Sequence, residues 1–259
     1  MLHKPWVSGP AEVLEHGMQH LEADTDLDRR LALIAVDNAV ELAIKTYLTL
    51  PRRVVGSPGL SRKEQVQLED GFPTMLDALE QHAGALLVGV PLDEIEFYHR
   101  LRNQLYHGGT GLTVEREKVA MYADLARVLF RNLLGYEVDT PDKSSKGAMD
   151  FLVRWGALES ILVGRAIVAP NSQGGRSTVG AFLEILSDDV DPDLVQRIDA
   201  LNAARNEFVH SGTPPKGMRV TQMNAEAADL YSTVRKLVDT GKLQPSQVVL
   251  NPPITCDDE

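Results

Sequence analysis

Residues 102–110 read Arg-Asn-Gln-Leu-Tyr-His-Gly-Gly-Thr, and residues 205–213 read Arg-Asn-Glu-Phe-Val-His-Ser-Gly-Thr. Arg, Asn, His, Gly and Thr are identical in the two copies, at five of the nine positions. Upstream of each copy, Ala-Val-Glu at 39–41 matches Ala-Leu-Glu at 157–159 on an apolar helical segment. Because the order and the context agree, we interpret the chain as a duplication of one small helical domain.

The rest of the chain fits this interpretation. Apolar residues recur mostly at spacings of three and four, the period of an α-helix, and strand-like alternation is absent from the sequence pattern. The sequence therefore predicts an all-α fold of two tandem up-and-down helical bundles, related by a pseudo-two-fold axis. The predicted organisation is a first domain at 1–137, a linker at 138–146, a second domain at 147–242 and an irregular tail at 243–259.

Individual helices follow from periodicity and capping residues. One long helix is expected over 11–49, ending near Pro51, because the helical spacing of apolar residues continues throughout. Ser61 and Glu64 have the spacing of a capping box, and Pro192 suits the first position of a helix. The other predicted helices lie at about 74–84, 93–107, 115–134, 148–168, 179–187, 191–209 and 221–240.

Composition limits the classes of function. The net charge of −11 argues against a broad nucleic-acid-binding surface, although a small basic cleft remains compatible with it. The single cysteine, Cys256, excludes a disulfide framework and a cysteine-rich zinc site. No apolar run approaches the ~20 residues that cross a bilayer, and the first residues lack the apolar region of a secretory signal. We expect no membrane association and a cytoplasmic location.

A purely structural explanation accounts for part of the repeated motif. Histidine is favoured at the negative end of a helix, and glycine takes the left-handed conformation that ends one. This explains His-x-Gly in each copy. It does not explain why Arg and Asn accompany His in both halves, which favours a functional motif.

The motif, at a helix end in a small helical domain and present in both halves, resembles that of the HEPN superfamily. The resemblance covers roughly 10–135 and 147–240. It implies a metal-independent endoribonuclease that needs no cofactor and is active when two domains pair and bring two motifs together. It also implies a toxin or antiviral defence role, with RNA as substrate and a protein regulator or antitoxin as partner. The catalytic residues that it implies are Arg102, Asn103, His107, Arg205, Asn206 and His210.

These residue types suit the cleavage of RNA by its own 2′-hydroxyl. Histidine can take the proton of the attacking 2′-OH or give one to the leaving 5′-oxygen. Arginine offers a planar fork of donors to phosphate oxygens, and asparagine can orient a histidine or hold a phosphate without adding charge. The expected products carry 2′,3′-cyclic phosphate and 5′-hydroxyl ends.

Helical geometry makes each motif incomplete. Arg102 and His107 are five residues apart, about 140° around the axis and ~7.5 Å along it, so they do not share a helix face. Asn103 and His107, four apart, do share one. We therefore expect a composite site in which the two motifs face each other within one chain, as an intrachain pseudo-dimer. The sequence leaves further homo-oligomerisation open.

Three other residues have open interpretations. Glu41 and Glu159 lie on apolar helix faces, either as partly exposed carboxylates or as buried partners that fix Arg102 and Arg205. His99 either enlarges a basic patch or is solvated surface.

The alternative to an enzyme is a non-catalytic module that binds a protein or a nucleotide, which the acidic net charge favours.

Overall fold

The structure, a computed structural model, describes residues 5–51, 54, 60–68, 71–107, 113–138, 145–163 and 191–243. Within these ranges the chain is helical and contains no β-strand, which confirms the all-α prediction for this part. No helix in the described ranges combines the length and apolar character that crossing a bilayer requires. The α-helices are α1 (Pro5–Ala23), α2 (Asp26–Thr49), α3 (Arg62–Gln67), α4 (Phe72–Ala83), α5 (Leu92–His107), α6 (Arg116–Leu134), α7 (Ser145–Val163), α8 (Pro192–Ser211) and α9 (Val220–Asp239).

The prediction of one helix over 11–49 is wrong, because the chain turns between α1 and α2. Asp24 has a left-handed backbone with φ of 52°. Thr25 then caps α2, its hydroxyl accepting a hydrogen bond from the Asp28 backbone N–H at 3.1 Å. The apolar period continues across the turn because α1 and α2 pack against each other and contribute to one core. Periodicity alone therefore could not reveal the break.

Other helix ends agree with their capping signals. Ser61 Oγ accepts from the Glu64 backbone N–H, and the Glu64 carboxylate accepts from the Ser61 N–H at 2.7 Å, which confirms the predicted capping box. Pro192 occupies the first turn of α8, behind an Asp191 cap. The last predicted helix, 221–240, is α9 within one residue at each end. The predicted helix at 179–187 and nearly all of the predicted tail lie outside the described residues.

Helix α6 is central to the packing. Its buried residues lie on all sides, and it contacts α1, α2 and α5 from the first half and α7 and α8 from the second. The buried apolar residues of both halves form one continuous cluster. Burial of this cluster is the main favourable contribution to folding. The two copies of the motif are therefore connected through a shared core, while the division into two domains remains a prediction.

A close backbone approach positions α7. Gly156 lies so near the segment before α5 that a Cβ at this position would come 2.4 Å from the Gly89 nitrogen. Only glycine permits that approach. Glu159, three residues further along α7, accepts a hydrogen bond from the Gly89 backbone in the same segment. The second-half counterpart of Glu41 thus lies at the junction between the two halves.

Candidate functional site

The first motif lies in the last turns of α5, where several side chains hold its arginine. Arg102 Nη1 donates to Asn103 Oδ1 at 2.9 Å, and Arg102 Nη2 donates to Asn38 Oδ1 at 3.0 Å. The motif asparagine thus contacts the neighbouring guanidinium. His107 is the last residue of α5, and its side chain lies outside the described part of the chain.

Asp37 of α2 is the centre of this first site, and its side chain is fully buried. Its Oδ1 accepts from the Tyr122 hydroxyl at 2.8 Å, and its Oδ2 lies 2.8 Å from Arg102 Nε and 3.0 Å from His99 Nδ1. Burial and the adjacent carboxylate raise the pKa of Tyr122 well above its usual value, so the phenol stays protonated and donates. A buried carboxylate is costly unless it is paired and hydrogen-bonded. The hydrogen bonds of Tyr122 and His99 and the ion pair with Arg102 together meet that requirement.

His99 is a member of this cluster that sequence reasoning missed. Its side chain is only 14% exposed, so it is not solvated surface. The ring stacks on Phe72 with centroids 3.8 Å apart and planes inclined by 7°. Two signals pointed to the cluster: His99 and Arg102, three residues apart, share a helix face, and Asp37 is a charge within an apolar helix.

Glu41 lies at the outer edge of the same cluster. Its Oε2 is 3.8 Å from Arg102 Nη2, and its side chain is 43% exposed. This distance is within the range of an ion pair, but exposure weakens such pairs to a median of about 0–1 kcal/mol. Asp37, one turn earlier on α2, has the shorter and more buried contact. The role of Glu41 in fixing Arg102 stays a prediction.

Asp37, Glu41 and His99 form a group that could hold a metal ion, since their ligand atoms lie within 4.8 Å of one another. However, Asp37 Oδ1 accepts a hydrogen bond from Tyr122, Oδ2 accepts one from His99, and Oδ2 also lies against the positively charged Arg102. A cation at this position would be opposed by the guanidinium charge. We therefore assign these residues to an ion-pair network rather than to a metal site.

The second motif repeats the Arg-Asn contact in a different environment. Arg205 Nη1 donates to Asn206 Oδ1 at 2.7 Å, as in the first motif. Arg205 is 6% exposed, and its Nε has no hydrogen-bond partner among the described residues. Burial raises the pKa of Glu159, while the charge of Arg205 and a hydrogen bond from the Gly89 backbone oppose that shift. The buried guanidinium and this carboxylate therefore interact at the junction of the two halves.

His210 faces the helix that carries the first motif. Its side chain is 57% exposed, and its Nδ1 lies 3.4 Å from Glu94 Oε2 on α5. The imidazole also contacts the Phe97 ring, with centroids 4.2 Å apart. Burial raises the pKa of Glu94, while the charge of His210 opposes that shift. His210 is therefore an accessible imidazole held against α5.

A chain of buried contacts joins the two sites. The Tyr122 hydroxyl bonds to Asp37, and the Tyr122 ring stacks on Tyr98 with centroids 4.5 Å apart. The Tyr98 hydroxyl donates to the Val209 backbone oxygen, next to His210, at 2.8 Å. The helices of the two motifs thus meet through Tyr98, Phe97 and Glu94. The contacts of Arg102 and Asn103 described above are with α2 or with each other.

The comparisons with known proteins add no relative. No family model, no curated protein and no solved structure matches the chain. The function is therefore inferred from the residues and their geometry.

Proposed function

We propose that the chain is a metal-independent endoribonuclease of HEPN type, with a composite site formed by its two Arg-Asn-x-x-x-His motifs. The observation that carries this proposal is the contact of His210 with α5, the helix of the other motif. It supports a site to which both halves of one chain contribute. A toxin or antiviral role, with a protein regulator, belongs to the same proposal.

The chemistry would be divided among the motif residues. One histidine removes the proton of the 2′-hydroxyl as its oxygen attacks phosphorus. A second residue then gives a proton to the leaving 5′-oxygen. Arg102 and Arg205 stabilise the charge on the phosphorane oxygens. Asn103 and Asn206 hold the guanidinium groups, in keeping with the contact that each makes. Since no step needs a metal, activity should persist in EDTA.

The test is cleavage of mixed RNA in EDTA by the wild type and by His107→Ala and His210→Ala. Each variant should lose roughly 10²–10⁴-fold in rate, the contribution of one general acid or base. His16→Ala removes an exposed histidine outside both motifs and should cleave like the wild type. The 5′-hydroxyl ends of the products should accept phosphate directly from a polynucleotide kinase. Unchanged cleavage by His210→Ala would contradict the composite site.

A non-catalytic helical module that binds a protein or a nucleotide is the second candidate. The environment of the arginines favours it: Arg102 lies 2.8 Å from the Asp37 carboxylate, and Arg205 is almost fully buried. A guanidinium already paired with a carboxylate is less available to a phosphate. Absence of RNA cleavage by the wild type would support this candidate.

A further inference from the structure

We propose that His99 is a further catalytic residue of the site, the base that removes the 2′-hydroxyl proton, and that Asp37 positions it. The proposal rests on the RNA cleavage proposed above. It assigns a role to a histidine outside both copies of the repeated motif. Its basis is the orientation of the imidazole, the exposure of the ring and its closeness to Arg102.

The orientation of the ring follows from its contacts with Asp37. His99 Nδ1 lies 3.0 Å from Oδ2 and 3.3 Å from Oδ1 of this carboxylate. Since a carboxylate oxygen accepts hydrogen bonds, Nδ1 carries the proton and donates. In the neutral ring, Nε2 then keeps the lone pair that a base requires. A carboxylate that holds the far nitrogen of an imidazole in this way fixes both its tautomer and its direction.

The ring is held in place and still reached by solvent. Stacking on Phe72 fixes its plane, and 14% of the side chain is exposed. Both contacts with Asp37 use Nδ1, and Nε2 has no hydrogen-bond partner among the described residues. A histidine that served only to satisfy the buried Asp37 would not need an accessible second nitrogen.

The charged surroundings place the ring beside a phosphate-binding group. His99 Nδ1 and Arg102 Nε both lie within about 3 Å of the same Asp37 oxygen. Tyr122 bonds to the other Asp37 oxygen, and Glu41 lies at the outer edge. A phosphodiester bound by Arg102 would therefore lie next to the His99 ring.

In the proposed step, His99 Nε2 takes the 2′-hydroxyl proton as that oxygen bonds to phosphorus. The bond from phosphorus to the 5′-oxygen breaks, and the leaving oxygen takes a proton from a motif histidine, which acts as the general acid. The products are a 2′,3′-cyclic phosphate and a 5′-hydroxyl end, and no oxidant or metal enters the step.

His99→Asn tests the proposal, because the asparagine amide can still donate to Asp37 while the basic nitrogen is removed. We expect a folded protein whose rate of RNA cleavage falls by roughly 10²–10⁴-fold. His20→Asn is the matched control, since His20 Nδ1 also contacts an aspartate, Asp28, at 2.9 Å, away from both motifs. It should cleave at the wild-type rate. Wild-type cleavage by His99→Asn would overturn this inference alone, whereas a wild type that does not cleave RNA would overturn the proposed function together with it.

A measurement on the unaltered chain covers the case in which His99→Asn does not fold. Imidazole ¹⁵N resonances report which ring nitrogen carries the proton and whether the other one meets a ligand. We expect the Nδ1-protonated form of His99, and a shift of its Nε2 resonance when cytidine 2′-monophosphate is added. No shift of the His99 resonance at saturating nucleotide would overturn the proposal.

Discussion

In the first half, Arg102 lies against Asp37, a fully buried carboxylate on α2, whereas in the second half Arg205 interacts with Glu159 on α7. When Glu41 is aligned with Glu159, Asp37 is aligned with Trp155. The second half therefore has a buried indole where the first has its central carboxylate. The same Arg-Asn pair thus lies in two different electrostatic environments.

The histidines of the two halves also differ, in their position and in their exposure. The first half has His99, held by Asp37 and 14% exposed, three residues before its motif arginine. Asn202 occupies the matching position in the second half and is buried. The second half instead presents His210, which is 57% exposed. A repeated motif therefore need not give two equivalent sites: the first half holds a histidine ring in a fixed orientation, and the second half exposes one to solvent.

If the first half depends on one buried carboxylate, Asp37→Ala should have the largest effect on stability. It would leave Arg102 and its neighbours without their buried acceptor, and breaking a buried pair costs about 3–5 kcal/mol. Glu41→Ala removes the 43% exposed carboxylate of the same helix and should cost at most about 1 kcal/mol. Urea unfolding monitored by circular dichroism measures both. Equal losses would contradict the central place given to Asp37.

The second motif is anchored to α6 by Gly212, which caps α8 with φ of 77°. A Cβ at this position would come 2.4 Å from the backbone of Glu117, so Gly212→Ala adds a clash to the cost of a left-handed alanine. Gly217→Ala is the matched control, because Gly217 has φ of 86° and open space around it. The left-handed conformation alone costs about 1–2 kcal/mol. The clash adds about 1–3 kcal/mol of destabilisation at Gly212. Thermal unfolding measures both variants, and an equal loss of stability in the two would refute the contact of Gly212 with α6 as an anchor.

Breaking the hydrogen bond that links the two motif helices should lower the stability by a smaller amount. Tyr98→Phe removes the donor to the Val209 oxygen and leaves a buried carbonyl unpaired, at a cost of about 1–3 kcal/mol. Tyr231→Phe, at an exposed position of α9, should change stability by less than about 0.5 kcal/mol. Amide hydrogen exchange at the end of α8 locates the change. Exchange that rises equally throughout the chain would argue against a local link.

The smallest effect concerns Glu159 and depends on pH. Because burial raises its pKa, the folded chain binds this proton more readily than the unfolded chain does. The stability that the protonated form contributes is present below the ordinary carboxyl pKa and is lost as the pH rises through the raised value. Glu159→Gln cannot titrate, so its unfolding free energy should rise relative to the wild type as the pH increases from about 4. A difference independent of pH would show that burial does not perturb Glu159.

Local signals predicted most helices, because capping boxes, proline and apolar spacing act over a few residues. The turn at Asp24 escaped prediction because the apolar pattern continues through it. The repeated Arg-Asn pair was visible because it occurs twice. Asp37 was visible only as a charge within an apolar helix, and its partners were not, since Asp37 and Tyr122 reach the site from α2 and α6 and only tertiary packing brings them to His99 and Arg102. The roles of the six motif residues stay predictions.

The central claim, that both motifs of one chain form one ribonuclease site, is tested most directly by mixing two single variants. The rate of cleavage of one RNA oligonucleotide in EDTA is measured for the wild type, His107→Ala, His210→Ala and an equimolar mixture of the two variants. The account predicts cleavage by the wild type and no recovery in the mixture, because each chain lacks part of its own site. A wild type that does not cleave, or a mixture that regains activity, would contradict it.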